Sequence, residues 1–309
     1  MTQQEIEELA REFGIDALAA VPSRPVPADR KTLLDLYAGY PPEFAYLARG
    51  LEKRLDPGQI LAGDRSVWVG LVGYGGLPAR PDPLPEGTAW ISRFAWCRDY
   101  HETVGARFES LAAALRERHG AAARSYVDTG SILEKSWACR GGLGFIGRNG
   151  LLISSALGSF CFIGTIITDI EVPEQQPVAG NGCGSCSACV SACPTGALPG
   201  DGRVDVSRCL AHITVTSKEP PPPDINLAGN LFGCDICQDA CPHNSPRRPT
   251  PVEFLPREGL FCPDLHAVRG ACRNRDRFKA LFGQTPVFRR KPERLLETVD
   301  RLMADPADS

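Results

Sequence analysis

No uninterrupted apolar run in the 309-residue chain reaches the roughly 18 residues that a membrane-spanning helix needs. The amino-terminal region has no positively charged segment followed by an apolar core, so nothing in it reads as a secretory signal. No solenoid-type repeat is visible. Neither charge sign dominates, since the formal net charge is −3. With 43% hydrophobic residues the composition excludes a disordered chain and predicts one large or two modest globular units.

Cysteine is what the chain has in excess. The thirteen cysteines are an odd number and most fall in tight clusters. That pattern speaks against a disulfide framework and for thiolate ligands in a reducing, cytoplasmic compartment. Charge is unevenly spread as well. From Arg247 to Arg294 there are twelve Lys or Arg against five acids (Glu253, Glu258, Asp264, Asp276 and Glu293), a local excess of 12 − 5 = +7.

The stretch CGSCSACVSACP, residues 183–194, has the spacing C-x2-C-x2-C-x3-C-P. Three thiolates around one small loop suit three corners of an iron-sulfur cube, and the fourth cysteine of such a run serves a second cluster. A second set lies downstream: Cys209, then Cys234, Cys237 and Cys241 in GCDICQDACP. The ligands divide into Cys183, Cys186, Cys189 and Cys241 for one [4Fe-4S] cluster and Cys193, Cys209, Cys234 and Cys237 for the other. Four thiolates can also hold structural zinc, but the close trio and the proline that ends each run favour the clusters. Cys97, Cys139, Cys161, Cys262 and Cys272 show no ligand spacing, and small packed residues are the simplest expectation for them.

Helical spacing over residues 3–14 with a glycine stop, followed by IDALAAV, predicts a helix and a short strand. Further strands are predicted at 66–74, 123–130 and 159–170, that at 123–130 being buried and ending at a turn, with a helix from Tyr100 to His119. PPPP at 220–223 belongs on a surface connection. The expected fold is α+β: an N-terminal α/β domain over 1–177, a ferredoxin-like double-cluster domain over 178–245 and a basic helical tail over 246–309.

Clusters alone only pass electrons, so chemistry is expected ahead of them. In VDTGSILEKSWACRGGLGFIGRNGLL (127–152) an acid at a strand end precedes Gly141, Gly142, Gly144, Gly147 and Gly150. These glycines would let backbone approach a flat or bulky ligand, or would simply make a structural turn, because the pattern is not G-x-G-x-x-G.

On these motifs the chain resembles the epoxyqueuosine reductase family, cobalamin-dependent iron-sulfur enzymes that complete queuosine in tRNA. The resemblance runs in order through AYLARGLEKRLDP (45–57), SRFAWCRDYH (92–101), VDTG, GLGFIGRNGLL, CGSCSACVSACPTGAL, RCLAHIT, GNLFGCDICQDACPHN and FKALFGQTPVFRRKP (278–292). It implies a cobalamin between the N-terminal and ferredoxin-like domains and electrons relayed by the clusters from an external low-potential donor. It also implies that Asp128 gives a proton, its protonated form favoured by desolvation at the end of a buried strand. A turn-capping aspartate is the plainer alternative. Arg54, Ser92, Asn149 and Leu152 match positions around the cobalamin, and Arg98 and His101 lie in a motif of the same site.

Three features depart from the family pattern. The chain lacks, after the cluster domain, the C-terminal helical-repeat domain of longer members. Cys97 stands where glycine is common, which puts its sulfur either against the cobalamin or in the core. KPERLLETVD lacks an Arg-Asn pair. These differences keep open a corrinoid reductase of small molecules, reductive dehalogenase-like, and an electron-transfer ferredoxin fused to a domain without its cofactor. The sets Arg247 with Arg248, RNRDRFK (273–279) and RRK (289–291) suit the phosphates of a tRNA anticodon arm, or form solvated faces. DLHAVRG (264–270) approaches the D-x-H-x-x-G pattern of cobalt-ligating histidines, but its glycine comes one residue late. His266 is therefore not expected to bind cobalt.

Overall fold

The computed structural model describes residues 1–26, 30–173, 182–244 and 250–304. The basic pair Arg247 and Arg248 lies outside the described residues. The chain divides into two units that interleave in sequence: residues 1–73, 100–147 and 151–184 form the first, and residues 74–99, 148–150 and 185–309 the second. This division cuts across the three consecutive domains expected from the sequence.

The first unit begins with α1 (Gln3–Glu12), whose N-terminal amides are met by a capping box: Thr2 accepts from the Glu5 amide and the Glu5 side chain accepts from the Thr2 amide. Four strands, β1 (Ala17–Pro22), β2 (Ser66–Gly73), β3 (Ala123–Tyr126) and β4 (Cys161–Thr168), form a sheet in the order β1-β2-β4-β3. Every pair is antiparallel. The helix expected at Tyr100–His119, α2, is present to the residue and buries Val104, Phe108, Leu111 and Leu115, one face at helical spacing.

β2 is buried at all positions because both of its faces are covered. Val67, Val69 and Leu71 join Trp137 and Ala138 in one apolar cluster, and Trp137 and Ala138 belong to α3 (Glu134–Arg140). Gly70, of the opposite parity, faces Phe108 of α2. The predicted buried strand at 123–130 differs from this pattern. β3 pairs with β4 alone and stands at the sheet edge, and only Ala123 of its four residues is buried.

In the second unit Trp90–Ile91 pairs in parallel with Asn230–Phe232. Residues 250–304, expected as part of a separate tail, belong to this same unit. They carry α4 (Leu265–Cys272), α5 (Arg275–Phe282) and α6 (Pro292–Ala304), with α4 packed on both of the others. α6 buries Leu295, Thr298, Val299 and Leu302, a stripe that needs a partner surface rather than solvent. Asp264 caps α4 by accepting from the Ala267 amide at 2.7 Å, which accounts for the aspartate of DLHAVRG without any metal. The prolines at 220–223 are half-buried or exposed, as a surface connection requires. Among the described residues no helix is long and apolar enough to cross a membrane.

A methyl group on Gly164 of β4 would lie 2.4 Å from Phe108 Cδ2 and Cε2, so β4 and α2 can approach as they do only with glycine there. Gly164→Ala is expected to lower the unfolding free energy by about 1–3 kcal/mol through overpacking, read as a lower denaturation midpoint with unchanged circular dichroism at low temperature.

Candidate active site

Asp128 follows β3 by two residues and has φ +57°, the left-handed region that a side chain other than glycine adopts at a cost. Its Oδ2 accepts a hydrogen bond from the Tyr100 hydroxyl at 2.6 Å and lies 3.7 Å from His101 Nε2. Tyr100 opens α2, and its ring stacks on Phe162 of β4 with centroids 4.5 Å apart. Sheet and helix together therefore fix the phenol. The Asp128 side chain is 62% exposed, because its strand is an edge and not a buried one. Behind it stands Glu134, whose Oε1 accepts the Asp128 amide N–H at 3.0 Å. Burial, followed by the charge of Asp128, pushes the Glu134 carboxyl up to about 8.

The positions matched to a cobalamin differ in what they offer. Arg54, 8% exposed, has a buried Nε without a hydrogen-bond partner, and its guanidinium stands 5.7 Å from the centre of the Tyr46 ring. A buried guanidinium with an unmet donor is the kind of group a polar ligand satisfies. Leu152 belongs to the apolar cluster of β2 and α3. In the second unit Asn149 is buried and Arg98 exposed. Cys97 is a packed thiol, 1% exposed, with burial pushing it up to about 12 and its sulfur 3.2 Å from the Arg98 carbonyl oxygen.

Gly141 and Gly144 are set by internal packing. A Cβ on Gly144 would meet the Ile153 carbonyl oxygen at 2.3 Å, and one on Gly141 would meet Ala19 Cβ at 2.7 Å. Close approach here is between parts of the protein itself.

All eight cluster-type cysteines are free of disulfides. Burial pushes the Cys234 thiol up to about 12 and raises Cys209 and Cys237, and charge on neighbouring sulfurs adds to each effect. The neighbours are Cys193 for Cys209, Cys193 and Cys209 for Cys234, and Cys209 and Cys234 for Cys237. Cys193, Cys209, Cys234 and Cys237 thus form one mutually interacting group. Cys189, of the other set, also acts on Cys237. Among the described residues no three His, Cys, Asp or Glu side chains converge to chelate a single metal ion. A four-iron cube holds its thiolates further apart than a zinc ion with bonds of about 2.3 Å does.

An ion pair that the motif reading missed anchors the loop between Cys234 and Cys237. Asp235 and Arg93 are both fully buried, with Arg93 Nη1 3.1 Å from Asp235 Oδ2. Asp235 also accepts from the Trp90 indole at 3.1 Å, the Arg93 amide at 2.9 Å and the Ser92 hydroxyl. Ser92, matched to a cofactor contact, therefore commits its hydroxyl to the cluster loop. Arg93 reaches on to Asp239 at 2.8 Å and the Pro78 carbonyl at 2.8 Å. Each charge in this network is compensated, as burial demands.

Of the basic residues, Arg273, Arg275, Arg277 and Lys279 face solvent. Arg290 does not: it is buried and donates to the Val215 carbonyl at 3.2 Å and to that of Ser217. Arg289 is paired with Asp99 at 2.6 Å.

Comparison with known proteins gives a consistent picture. The family model described as "Epoxyqueuosine reductase QueG, DUF1730" matches residues 54–129, and that described as "4Fe-4S double cluster binding domain" matches residues 182–244. The chain is 35% identical over 265 residues to an epoxyqueuosine reductase of Leadbetterella byssophila, covering 83% of this chain and 85% of that protein. It is similar to the structure of epoxyqueuosine reductase from Streptococcus thermophilus, with TM-score 0.84 and 27% identity over 98% of this chain and 80% of that one. It is also similar to a crystal structure of epoxyqueuosine reductase with an epoxyqueuosine-modified tRNA-Tyr stem loop, with TM-score 0.80 and 26% identity over 99% of this chain and 83% of that one.

Replacing Arg93 by Met strands the buried Asp235 charge. The expected loss is about 3–5 kcal/mol of stability, measured by denaturant titration. Arg203→Met, which breaks the exposed pair with Asp201, should leave the midpoint unmoved. For Glu134 the folded carboxyl keeps its proton to about 8 whereas the unfolded one releases it near 4.5. The folded state then binds the extra proton between those values, so this group's contribution falls as pH rises across that window. Glu134→Gln should flatten that decline in a comparison of melting temperatures at pH 5 and pH 8.

Proposed function

The chain belongs to the epoxyqueuosine reductase family, and from that premise we propose that it reduces epoxyqueuosine in tRNA to queuosine. In this reaction both carbon–oxygen bonds of the epoxide break, two electrons and two protons enter, an alkene forms and the oxygen leaves as water. Cys183, Cys186, Cys189 and Cys241 would hold one [4Fe-4S] cluster and Cys193, Cys209, Cys234 and Cys237 the other, and the pair would supply electrons one at a time from an external low-potential donor. The observation that carries the proposal is that one chain holds these eight cysteines, none in a disulfide, and also a solvent-reachable carboxylate held by a phenol beside an imidazole.

Cobalamin, when bound, supplies a low-potential nucleophilic metal centre. Arg54 is its best-supported holder, since its unmet Nε–H can donate to a polar group of the cofactor. His101, Leu152, Ser92, Arg98 and Asn149 are assigned to it by family resemblance alone. Asp128 is the proton donor: Tyr100 donates to Oδ2, which leaves Oδ1 free to carry a proton and release it toward the substrate. His101, on the same side of the carboxylate, can return the proton after each turnover. The exposed set Arg273, Arg275, Arg277 and Lys279 meets phosphates of the anticodon arm, giving binding that weakens with salt. The modified tRNA stem loop in the related complex favours RNA over a small-molecule substrate.

Anaerobic turnover of the reconstituted protein on tRNA carrying epoxyqueuosine, followed by mass spectrometry of the nucleosides, should yield queuosine. Absence of product from protein carrying both clusters and cobalamin would overturn the assigned substrate. Asp128→Asn should cut turnover by about 100-fold or more with iron content and corrinoid absorbance retained; unchanged turnover would remove Asp128 from the mechanism.

A further inference from the structure

Among the described residues Glu134 is the acid whose hydrogen bond reaches the backbone of Asp128. Its Oε1 takes the Asp128 amide N–H at 3.0 Å, and that amide belongs to a residue held at φ +57°. An aspartate relaxes out of this conformation unless its surroundings hold it there. The Tyr100 hydroxyl binds the far end of the same residue at 2.6 Å, so a backbone that turned away would break that bond as well. The loop from Val127 to Leu133 contains Gly130 and ends where Glu134 opens α3, so this carboxyl ties the Asp128 backbone to a regular element while Tyr100 of α2 ties its side chain.

We propose that Glu134 is the positioning residue for Asp128, its carboxyl taking the Asp128 amide and so fixing the left-handed backbone that brings the donor carboxylate to Tyr100. The inference rests on the assignment of Asp128 as proton donor and adds a residue that does not touch substrate. The charged groups facing Glu134 are Asp128 across the loop, Lys135 on α3 and Arg54 from the helix Leu51–Leu55. Because burial keeps its proton to about 8, Glu134 serves near neutral pH as a neutral acceptor.

The test compares wild type, Glu134→Ala and Glu134→Gln, each with both clusters and cobalamin loaded, by amide hydrogen exchange and by turnover on the modified tRNA. Glu134→Ala should speed exchange at the Asp128 amide by roughly three- to tenfold and lower kcat with KM for tRNA unchanged. The α3 amides of Trp137 and Gly141, bonded to Leu133 and Trp137 carbonyls, should keep their protection. Glu134→Gln, which retains the acceptor oxygen, should restore both protection and kcat. Unchanged exchange at Asp128 in the alanine variant would overturn the proposal. So would loss of protection spreading through α3, or a glutamine variant indistinguishable from alanine. If wild type makes no queuosine, the assigned reaction fails, and the exchange data still decide whether Glu134 holds Asp128.

Discussion

Three thiols, Cys209, Cys234 and Cys237, which burial and neighbouring sulfurs keep from ionising, set the constraint on which the second unit is built. Cys193, Cys209, Cys234 and Cys237 are drawn together, with Cys189 acting on Cys237 from the other set. As thiols Cys209, Cys234 and Cys237 resist ionisation, and as thiolates neighbouring sulfurs repel. A cluster resolves the conflict, because positively charged iron supplies the counter-charge and metal binding releases the protons. The fold prepares this arrangement without relying on the metal alone. Arg93, Trp90 and Ser92 reach across 142 to 145 residues of sequence to hold Asp235 between two of the cysteines. A buried carboxylate with every bond made is a rigid anchor for the loop that must accept the cube.

The first unit solves a different problem, presenting one carboxylate to solvent in a defined place. An edge strand ends, the chain turns through a left-handed residue, and a phenol braced by a β4 ring fixes the carboxylate. An exposed donor is free to meet a large substrate. Glu134, whose carboxyl burial pushes up to about 8, stands behind the backbone of that donor.

What could be read from the sequence follows from how local each signal is. The cysteine spacing specifies ligands over a few residues, and α2 is recoverable because Val104, Phe108, Leu111 and Leu115 repeat on one face. The burial of β3 was misjudged because an apolar run says nothing about whether a strand has one neighbour or two. Asp128 stood out in its motif, whereas Tyr100 and Glu134 acquire their roles only when α2 and α3 are set beside it. Gly141 and Gly144 read as either a ligand cradle or a structural turn, and the β1 and Ile153 atoms in front of them are what sequence could not supply. The pair of Arg93 and Asp235 left no trace in spacing, although an acid between two ligand cysteines is itself a group in need of a partner. Arg290, counted with the basic surface, turns inward to carbonyls that sequence cannot bring near it.

The central claim is that the eight cysteines hold two four-iron clusters, and the most direct measurement is anaerobic analysis of iron, acid-labile sulfide and zinc per chain, with electron paramagnetic resonance of the reduced protein. The account predicts about eight irons and eight sulfides, negligible zinc, and spectra of two cubes close enough to interact. About four irons with a single uncoupled signal, or zinc in place of iron, would contradict it.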